Sequence, residues 1–464
     1  MVTVMKKIHF LLILITSLML FSCESADELI PTTGNEATAI SIILPDGKKY
    51  DFKIDSTLIN LEIKASSKTD MSKIRMFVSI PNNAKVESDP PLGQYMDFSK
   101  PVSFDVVGAD GNRKTYTVSI EIIPTIGIRE IWKKTGSELG FNKHNNSAIG
   151  ISGDYIVVHD RAGFSYFNIS DGERAGDMSW EGIDWNQLQF KMPLHMTTDD
   201  AGNVVSCNAA TAAGQEIHMY WWNGVTSKPQ LLFSYILDIP NAKNPQVGRK
   251  IYVKGDMTKQ AYLYLGVSNN NMFLQWEIKN GKVVSQAPKQ VDYNIDYTMG
   301  IQPKIVPVSL DEHSNYFINR YENGSPKVAI TYMDGTTNTP IYKSESHIQD
   351  VFHQWLGGGH AFDYVDMNGM KYIFLIEQNT QNWMREIFDV RVLMKDPSSI
   401  KSIVNLIHTR KWNDWLYFPL DPILGSNGNV TGEVKARVSA DGNSAIVAFL
   451  CTNSGVIVWE VNLK

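Results

Sequence analysis

Ile217-His218-Met219-Tyr220-Trp221-Trp222-Asn223-Gly224 is a run of strand formers that stops on an Asx-Gly pair. Asx-Gly is a strong short-range hairpin signal, because a two-residue turn of the matching twist needs positive φ at both positions. The same grammar recurs on either side. Phe164 to Ile169 leads into Asp171-Gly172, Phe273 to Ile278 into Asn280-Gly281, and Val328 to Tyr332 into Asp334-Gly335. The turn glycines Gly172, Gly224, Gly281 and Gly335 are separated by 52, 57 and 54 residues. Self-similarity at that period predicts stacked supersecondary units, each too small to bury its own apolar face.

A second strand marker precedes each of these runs. Its copies are Tyr155–Val158, Val204–Ser206, Tyr262–Leu265, Tyr316–Ile318, Tyr372–Leu375 and Ala445–Phe449. Six copies predict a six-bladed β-propeller over residues 125–464, each blade a twisted antiparallel sheet. The last blade contains Val434 to Ala440, Ala445 to Cys451 and Val456 to Val461, one strand short of four. Arg129-Glu130-Ile131-Trp132-Lys133 is a free strand just after Pro124 and can complete it, which would remove an exposed sheet edge. An open sandwich, or two separate all-β domains, is the competing arrangement.

Before Pro124 the pattern is plain alternation. Ile40, Ile42 and Leu44 are followed by Ile59, Leu61 and Ile63, then Val102, Phe104 and Val106, then Tyr116, Val118 and Ile120. Period-two runs punctuated by Asp46-Gly47 and Asp110-Gly111 predict a small antiparallel sandwich over residues 38–124, the size of one immunoglobulin-like module. The whole chain is therefore expected to be all-β.

The N-terminus reads as an address. Lys6-Lys7 heads an apolar run from Phe10 to Phe21 that closes on Ser22-Cys23. This is the layout of a secretory signal over residues 1–22, and its terminal cysteine resembles a bacterial lipobox, with Phe21 bulkier than usual. Acylated Cys23 would anchor the chain to a membrane without spanning it, and polar residues 23–37 would form a tether. The other cysteines, Cys207 and Cys451, sit in apolar strand-like runs and read as buried small hydrophobes.

Composition narrows the chemistry. The net charge of -6 becomes -8 once Lys6 and Lys7 leave with the signal, and no Lys/Arg cluster follows, which argues against nucleic acid as a partner. No nucleophile elbow, Walker loop, dinucleotide fingerprint or zinc motif occurs, and the 10 histidines lack ligand spacing. No catalytic residue, metal or cofactor is therefore assigned. Gly357-Gly358-Gly359-His360, Thr198 to Asn203 and Ser439 to Gly442 read as tight turns.

Of the 11 tryptophans, several fall among Asn, Asp and Gln in loop-like segments. Trp180, Trp185, Trp355, Trp383, Trp412, Trp415 and the adjacent Tyr417 are the candidate glycan-binding residues. A ring face stacks on the apolar face of a pyranose while polar neighbours take its hydroxyls. Trp221, Trp222, Trp276 and Trp459 lie in strands and are expected to pack between blades.

The cysteine trailed by Glu24, Asp27 and Glu28 resembles surface-exported lipoproteins of gut anaerobes. Asp97 to Val102, Asp110-Gly111 and Tyr116-Thr117-Val118 are similar to the immunoglobulin-like modules of those proteins. With a C-terminal propeller, the chain resembles an uncharacterised lipoprotein family of polysaccharide-utilisation systems, many of whose members are surface glycan-binding proteins. The resemblance implies a non-catalytic lipoprotein of the outer membrane, facing the exterior, binding an extracellular glycan and working beside an outer-membrane transporter. A glycan hydrolase or lyase on a propeller, and a protein-interaction or adhesin module, are the alternatives.

Overall fold

The computed structural model describes residues 34–464 except 189–191, 241, 297–299, 320–329, 344–360, 379–382, 399–403, 406–420 and 426–430. Cys23 and the segment proposed as a signal lie outside these. The described chain is all-β and divides into two compact units. One covers residues up to Thr125 together with Lys464, and the other runs from Ile126 to Leu463.

The first unit holds two four-stranded sheets. One is built of Lys49–Lys53, Ala39–Ile43, Ile74–Ser79 and Tyr95–Met96, in that spatial order. The other runs Leu58–Ala65, Arg113–Pro124, Val102–Val107 and Lys85–Glu87. Alternate residues of both sheets, among them Ile40, Ile42, Met76, Leu61, Ile63, Phe104 and Val118, meet in one core. Phe104 stacks on Tyr116 at 5.2 Å, and the Tyr116 hydroxyl accepts a hydrogen bond from the Ala37 amide. One expectation needs correction: Leu58–Ala65 pairs parallel, not antiparallel, with Thr117–Pro124. Period-two alternation is the same for either direction, so it reports which face is buried and not how neighbours run.

Among the described residues the second unit is a series of six antiparallel sheets, four of which take four successive strands in simple meander order. The first sheet comprises Ile149–Ser152, Tyr155–Asp160, Gly163–Asn168 and Arg174–Asp177. The second comprises His195–Thr198, Val204–Cys207, Glu216–Trp222 and Gln230–Ile236. The third uses Ile251–Gly255, Gln260–Gly266, Met272–Lys279 and Lys289–Asp292, with short Lys282–Val283 beside the third of these. The fourth uses Ile305–Pro307, Tyr316–Asn319, Ile330–Met333 and Pro340–Lys343, and the fifth Ala361–Met367, Met370–Gln378, Trp383–Asp389 and Val404–Asn405. The sixth is discontinuous. Gly432–Val438, Ser444–Cys451 and Gly455–Leu463 are completed by Ile126–Thr135, which pairs antiparallel with the last of them.

Apolar faces are buried between successive sheets. Trp222, Phe164 and Val204 fill the seam between the first and second, and Trp276, stacked on Phe233 at 4.8 Å, that between the second and third. Tyr252, Phe317 and Tyr364 belong to a core shared by the third, fourth and fifth. Phe374 meets Phe449 between the fifth and sixth, and Trp132, Ile151 and Val458 join the sixth to the first. Cys207 and Cys451 are buried free thiols.

The Asx-Gly pairs turn the chain in different ways. Asn280 (φ 51°) and Gly281 (φ 73°) both adopt positive φ, joining Lys279 to its partner Lys282, as do Asn368 (φ 50°) and Gly369 (φ 86°) between Met367 and Met370. Gly335 has ordinary φ but lies so close to the Ser314 and His313 carbonyls that a Cβ would sit about 2.1 Å from oxygen. Closeness selects that glycine.

Trp132 donates its indole N–H to the Ile169 carbonyl (2.9 Å) and is buried where the sixth sheet meets the first. Trp132→Ala is expected to cost about 3–5 kcal/mol. Denaturant unfolding of the Ile126–Leu463 unit measures this, and a cost below about 1 kcal/mol would mean that the closing strand is dispensable.

Candidate functional site

Two polar features stand out in the second unit. The first is a cavity of about 300 Å³ at one end of the first sheet. Its wall combines the segment entering that sheet (Asn142, Asn146), the hairpin between its second and third strands (Asp160, Gly163, Phe164), and the segment leaving it (Met178, Trp180). Strand directions alternate in a meander, so these three connections emerge at the same end.

Trp180 is half-buried. It packs edge-on against Phe164 (4.4 Å between centroids) and Trp222 (5.1 Å), and against Trp185 (4.6 Å). Asp184 caps the short turn Trp185–Gln187 by accepting from the Asn186 amide (2.9 Å). Trp222 donates its indole N–H to the Ser179 carbonyl (2.8 Å), which pins the start of the segment. Two of the seven sequence-predicted residues, Trp180 and Trp185, are thus brought into contact, and Trp180 lines the cavity. Trp383 opens a strand of the fifth sheet, and its side chain lies outside the described residues. Trp355, Trp412, Trp415 and Tyr417 lie outside them as well.

The polar wall was not anticipated from sequence. Asp160 accepts from the Ala162 amide (2.8 Å) and from the side-chain amides of Asn142 (3.3 Å) and Asn146 (3.4 Å). Asp177 accepts from Ser165 Oγ (2.7 Å) and Arg174 (2.6 Å). Asn146 is buried, yet among the described residues its Oδ1 has no hydrogen-bond partner. A buried acceptor left unpaired costs about 1–3 kcal/mol.

The second feature lies where the first strands of the later sheets converge. Glu433 accepts from Lys250 (2.7 Å) and His195 Nε2 (2.8 Å) on Oε2, and from Lys304 (2.7 Å) on Oε1. Lys250 also reaches the Gly432 carbonyl, and Lys304 those of Phe362 and Val434. One layer further along the same strands, the Tyr252 hydroxyl donates to Asp363 Oδ1 (2.9 Å). Asp363 Oδ2 accepts from the Ala436 amide (2.9 Å). All of these charged groups are buried.

The electrostatics are those of fixed charge. Burial alone would raise the Glu433 carboxyl, but the Lys250 and Lys304 ammoniums and the His195 hydrogen bond override it and hold it well below the ordinary carboxylate range. Burial lowers Lys250, partly countered by Glu433. Burial also pushes His195 down to about 3, so the ring is neutral. Its tautomer follows from its contacts: Nδ1 accepts from the Ile251 amide (3.2 Å), so Nε2 carries the proton given to Glu433. Such a cluster ties together the first strands of several sheets.

Asp199 works similarly between the second and third sheets. Its carboxylate accepts from the Asn203 amide and side chain and from the Met257 amide, each at 2.7 Å. The Thr198–Asn203 and Ser439–Gly442 segments are hairpin turns. Among the described residues, no group of three His, Cys, Asp or Glu side chains is placed to hold a metal ion.

The chain belongs to the family described as Domain of unknown function (DUF8500), whose model matches residues 134–458. No curated protein matches it. Among solved structures, a DUF4623 family protein from Bacteroides eggerthii is similar, with 16% identity and a TM-score of 0.53 over 92% of this chain and 98% of that one. At that identity the likeness concerns the fold alone. A Bacteroides fragilis protein described as exported aligns over 74% of this chain and 96% of its own, at 9% identity and a TM-score of 0.33. Another from the same species, described as secreted, covers 19% of this chain and 91% of its own, at 19% identity and a TM-score of 0.14. Those two scores are too low to bear on the fold.

The buried histidines make stability pH-dependent. His195 is held at about 3 and His159, also by burial, at about 4, against an ordinary 6.5. The unfolded chain therefore binds more protons between these limits. Stability is complete above about pH 6.5 and falls by roughly 1.4 kcal/mol per pH unit per histidine on acidification towards 4. The Glu433 contribution is lost only at lower pH, below the ordinary carboxylate value. Equilibrium unfolding at pH 7, 6 and 5 should show this slope, reduced by about half in His159→Gln; a flat profile would contradict it.

Proposed function

We propose that the protein is a non-catalytic surface lipoprotein whose Ile126–Leu463 unit is a six-bladed β-propeller that binds an extracellular glycan. The Thr125-ending unit is an immunoglobulin-like spacer in this reading, and acylated Cys23 is the anchor to the outer membrane. The propeller reading is supported by six meander sheets with buried seams between neighbours, including the sixth against the first. A strand supplied from the start of the unit to the last sheet ties its ends together.

The observation that carries the glycan reading is the Trp180 cavity. An indole ring, the carboxylates of Asp160 and Asp177, the Arg174 guanidinium and the Asn142 and Asn146 amides line one recess. Aromatic surface with planar polar side chains suits a sugar, whose ring has an apolar face and an equatorial belt of hydroxyls. A volume of about 300 Å³ is at the small end of ligand sites, enough for one or two sugar units and not for a long stacked chain. Trp355, Trp412, Trp415 and Tyr417 fall in the intervals 344–360 and 406–430, each joining the last strand of one sheet to the first strand of the next, as Trp180 and Trp185 do. An outer-membrane transporter would receive what this face captures.

Affinity electrophoresis on a polysaccharide panel tests the reading. The native protein is expected to be retarded by at least one glycan without releasing products. Trp180→Ala and Asp160→Ala should each weaken retardation about tenfold or more while the fold is kept. New reducing ends or unsaturated sugars would replace the binding reading by an enzymatic one, and retardation by no glycan would remove it.

A further inference from the structure

A second cavity, of about 280 Å³, lies between the third and fourth sheets and shares no lining residue with the Trp180 cavity. The third sheet contributes Tyr264, Phe273 and its strand Lys289–Asp292. The fourth contributes the hairpin bearing Glu312, the start of its second strand at Tyr316, and the turn that ends on Asn338. Phe273 meets Tyr316 edge-on (5.4 Å between centroids) and Tyr264 at a tilt (5.8 Å), and all three are buried. This apolar wall is fixed before a ligand arrives, which lowers the ordering cost of binding.

Two donors on the wall are unspent. The Gln275 side-chain amide donates to the Tyr264 hydroxyl (3.3 Å) and to the Glu312 carbonyl (3.2 Å). The hydroxyl is the acceptor in that bond, and its own proton meets no acceptor among the described residues. Burial raises it above the ordinary tyrosine range, partly countered by the Gln275 hydrogen bond, so it keeps that proton. The Tyr316 hydroxyl donates to Asn338 Oδ1 (3.0 Å), and the Asn338 amide hydrogens meet no acceptor among the described residues.

Acceptors complete the lining. Glu312 Oε1 takes Lys289 Nζ (2.6 Å), and the exposed Asp292 carboxylate takes the Gln290 side-chain amide (2.9 Å). Lys289 is thus set against two carboxylates in the lining. Asp311 and Asp334 act on Tyr264 and Tyr316 from the adjoining hairpins, so the surroundings are net negative.

We propose that this cavity is a second sugar site, taking one neutral pyranose unit. A pyranose brings hydroxyls that accept from Tyr264 and Asn338 and donate to Glu312 and Asp292, and a C–H face for the rings. A uronic acid would meet the carboxylates and is rejected. The volume is at the small end of ligand sites, so a single unit enters and not a stacked chain. The proposal builds on the glycan reading but stands on different residues. Two sites on one chain let a long glycan bind more tightly than either unit alone.

Saturation-transfer NMR titration of the mature protein carrying Trp180→Ala tests this, at pH 8, where the exposed His313 of the lining is uncharged. The probes are the methyl glycosides of glucose, galactose, mannose and xylose, with sodium glucuronate beside them. At least one neutral glycoside is expected to bind saturably, and glucuronate is not. Tyr264→Phe and Asn338→Asp, each added to Trp180→Ala, should weaken that binding about tenfold. Each removes one donor and keeps the ring, or the oxygen that Tyr316 uses. Circular dichroism checks the fold of each variant, and if one fails to fold the other decides. No neutral binding to the Trp180→Ala protein, unchanged binding in the donor variants, or glucuronate bound as tightly as the neutral glycosides overturns the proposal. Native protein retarded by a glycan, with no glycoside bound by Trp180→Ala, would remove this site and leave the Trp180 cavity standing.

Discussion

Glu433 is the charge on which the second unit turns. Its two carboxylate oxygens are reached by side chains from His195, Lys250 and Lys304, separated from it by 238, 183 and 129 residues of chain. Each partner stands at or just before the first strand of a different sheet. Apolar seams between sheets tolerate sliding, because burial is non-directional. A carboxylate that must meet three donors does not, and it sets how far each first strand is inserted. Buried ion pairs are weak evidence of stability, since desolvation offsets much of their attraction. Their contribution here is register among sheets distant in sequence.

The same constraint separates the two polar features. At the Glu433 cluster most donors and acceptors are matched, the rings and carboxylates are buried, and charge is fixed. At the Trp180 cavity one buried amide oxygen, that of Asn146, is unmatched among the described residues, and the surrounding Asp160, Arg174 and Asp177 reach the surface. Rigid scaffold and adaptable rim are the usual division of labour between strands and the connections they carry.

Much of the fold was legible from the residues. Spacing between Asx-Gly turns located the third strands, the Tyr- and Val-rich runs located the second strands, and Arg129–Lys133 was recognisable as a strand in need of a partner. These features are local, and period-two burial makes them visible. The parallel pairing of Leu58–Ala65 was hidden, because alternation carries no direction. The ionic cluster was hidden for a related reason: Glu433-Val434-Lys435-Ala436-Arg437 alternates charge with apolar residues and reads as a strand with a wet face, yet Glu433 and Lys435 point inward. Pattern tells which residues share a face; only the assembled sheets tell what that face meets. Trp180 and Trp185 were found through the polar company of their loop, whereas Asn146, Asp160 and Arg174 look ordinary in sequence and gain meaning only from their shared cavity.

A double-mutant cycle between Glu433 and Lys304 tests the central claim most directly. Equilibrium unfolding would be measured for Glu433→Gln, Lys304→Met and the pair. If the carboxylate sets the register of these sheets, each single change costs about 3–5 kcal/mol, because it strands a buried charge, and the double change costs at least about 2 kcal/mol less than the sum. Strictly additive costs would show that the two groups do not act on one another, and the account built on Glu433 would fail.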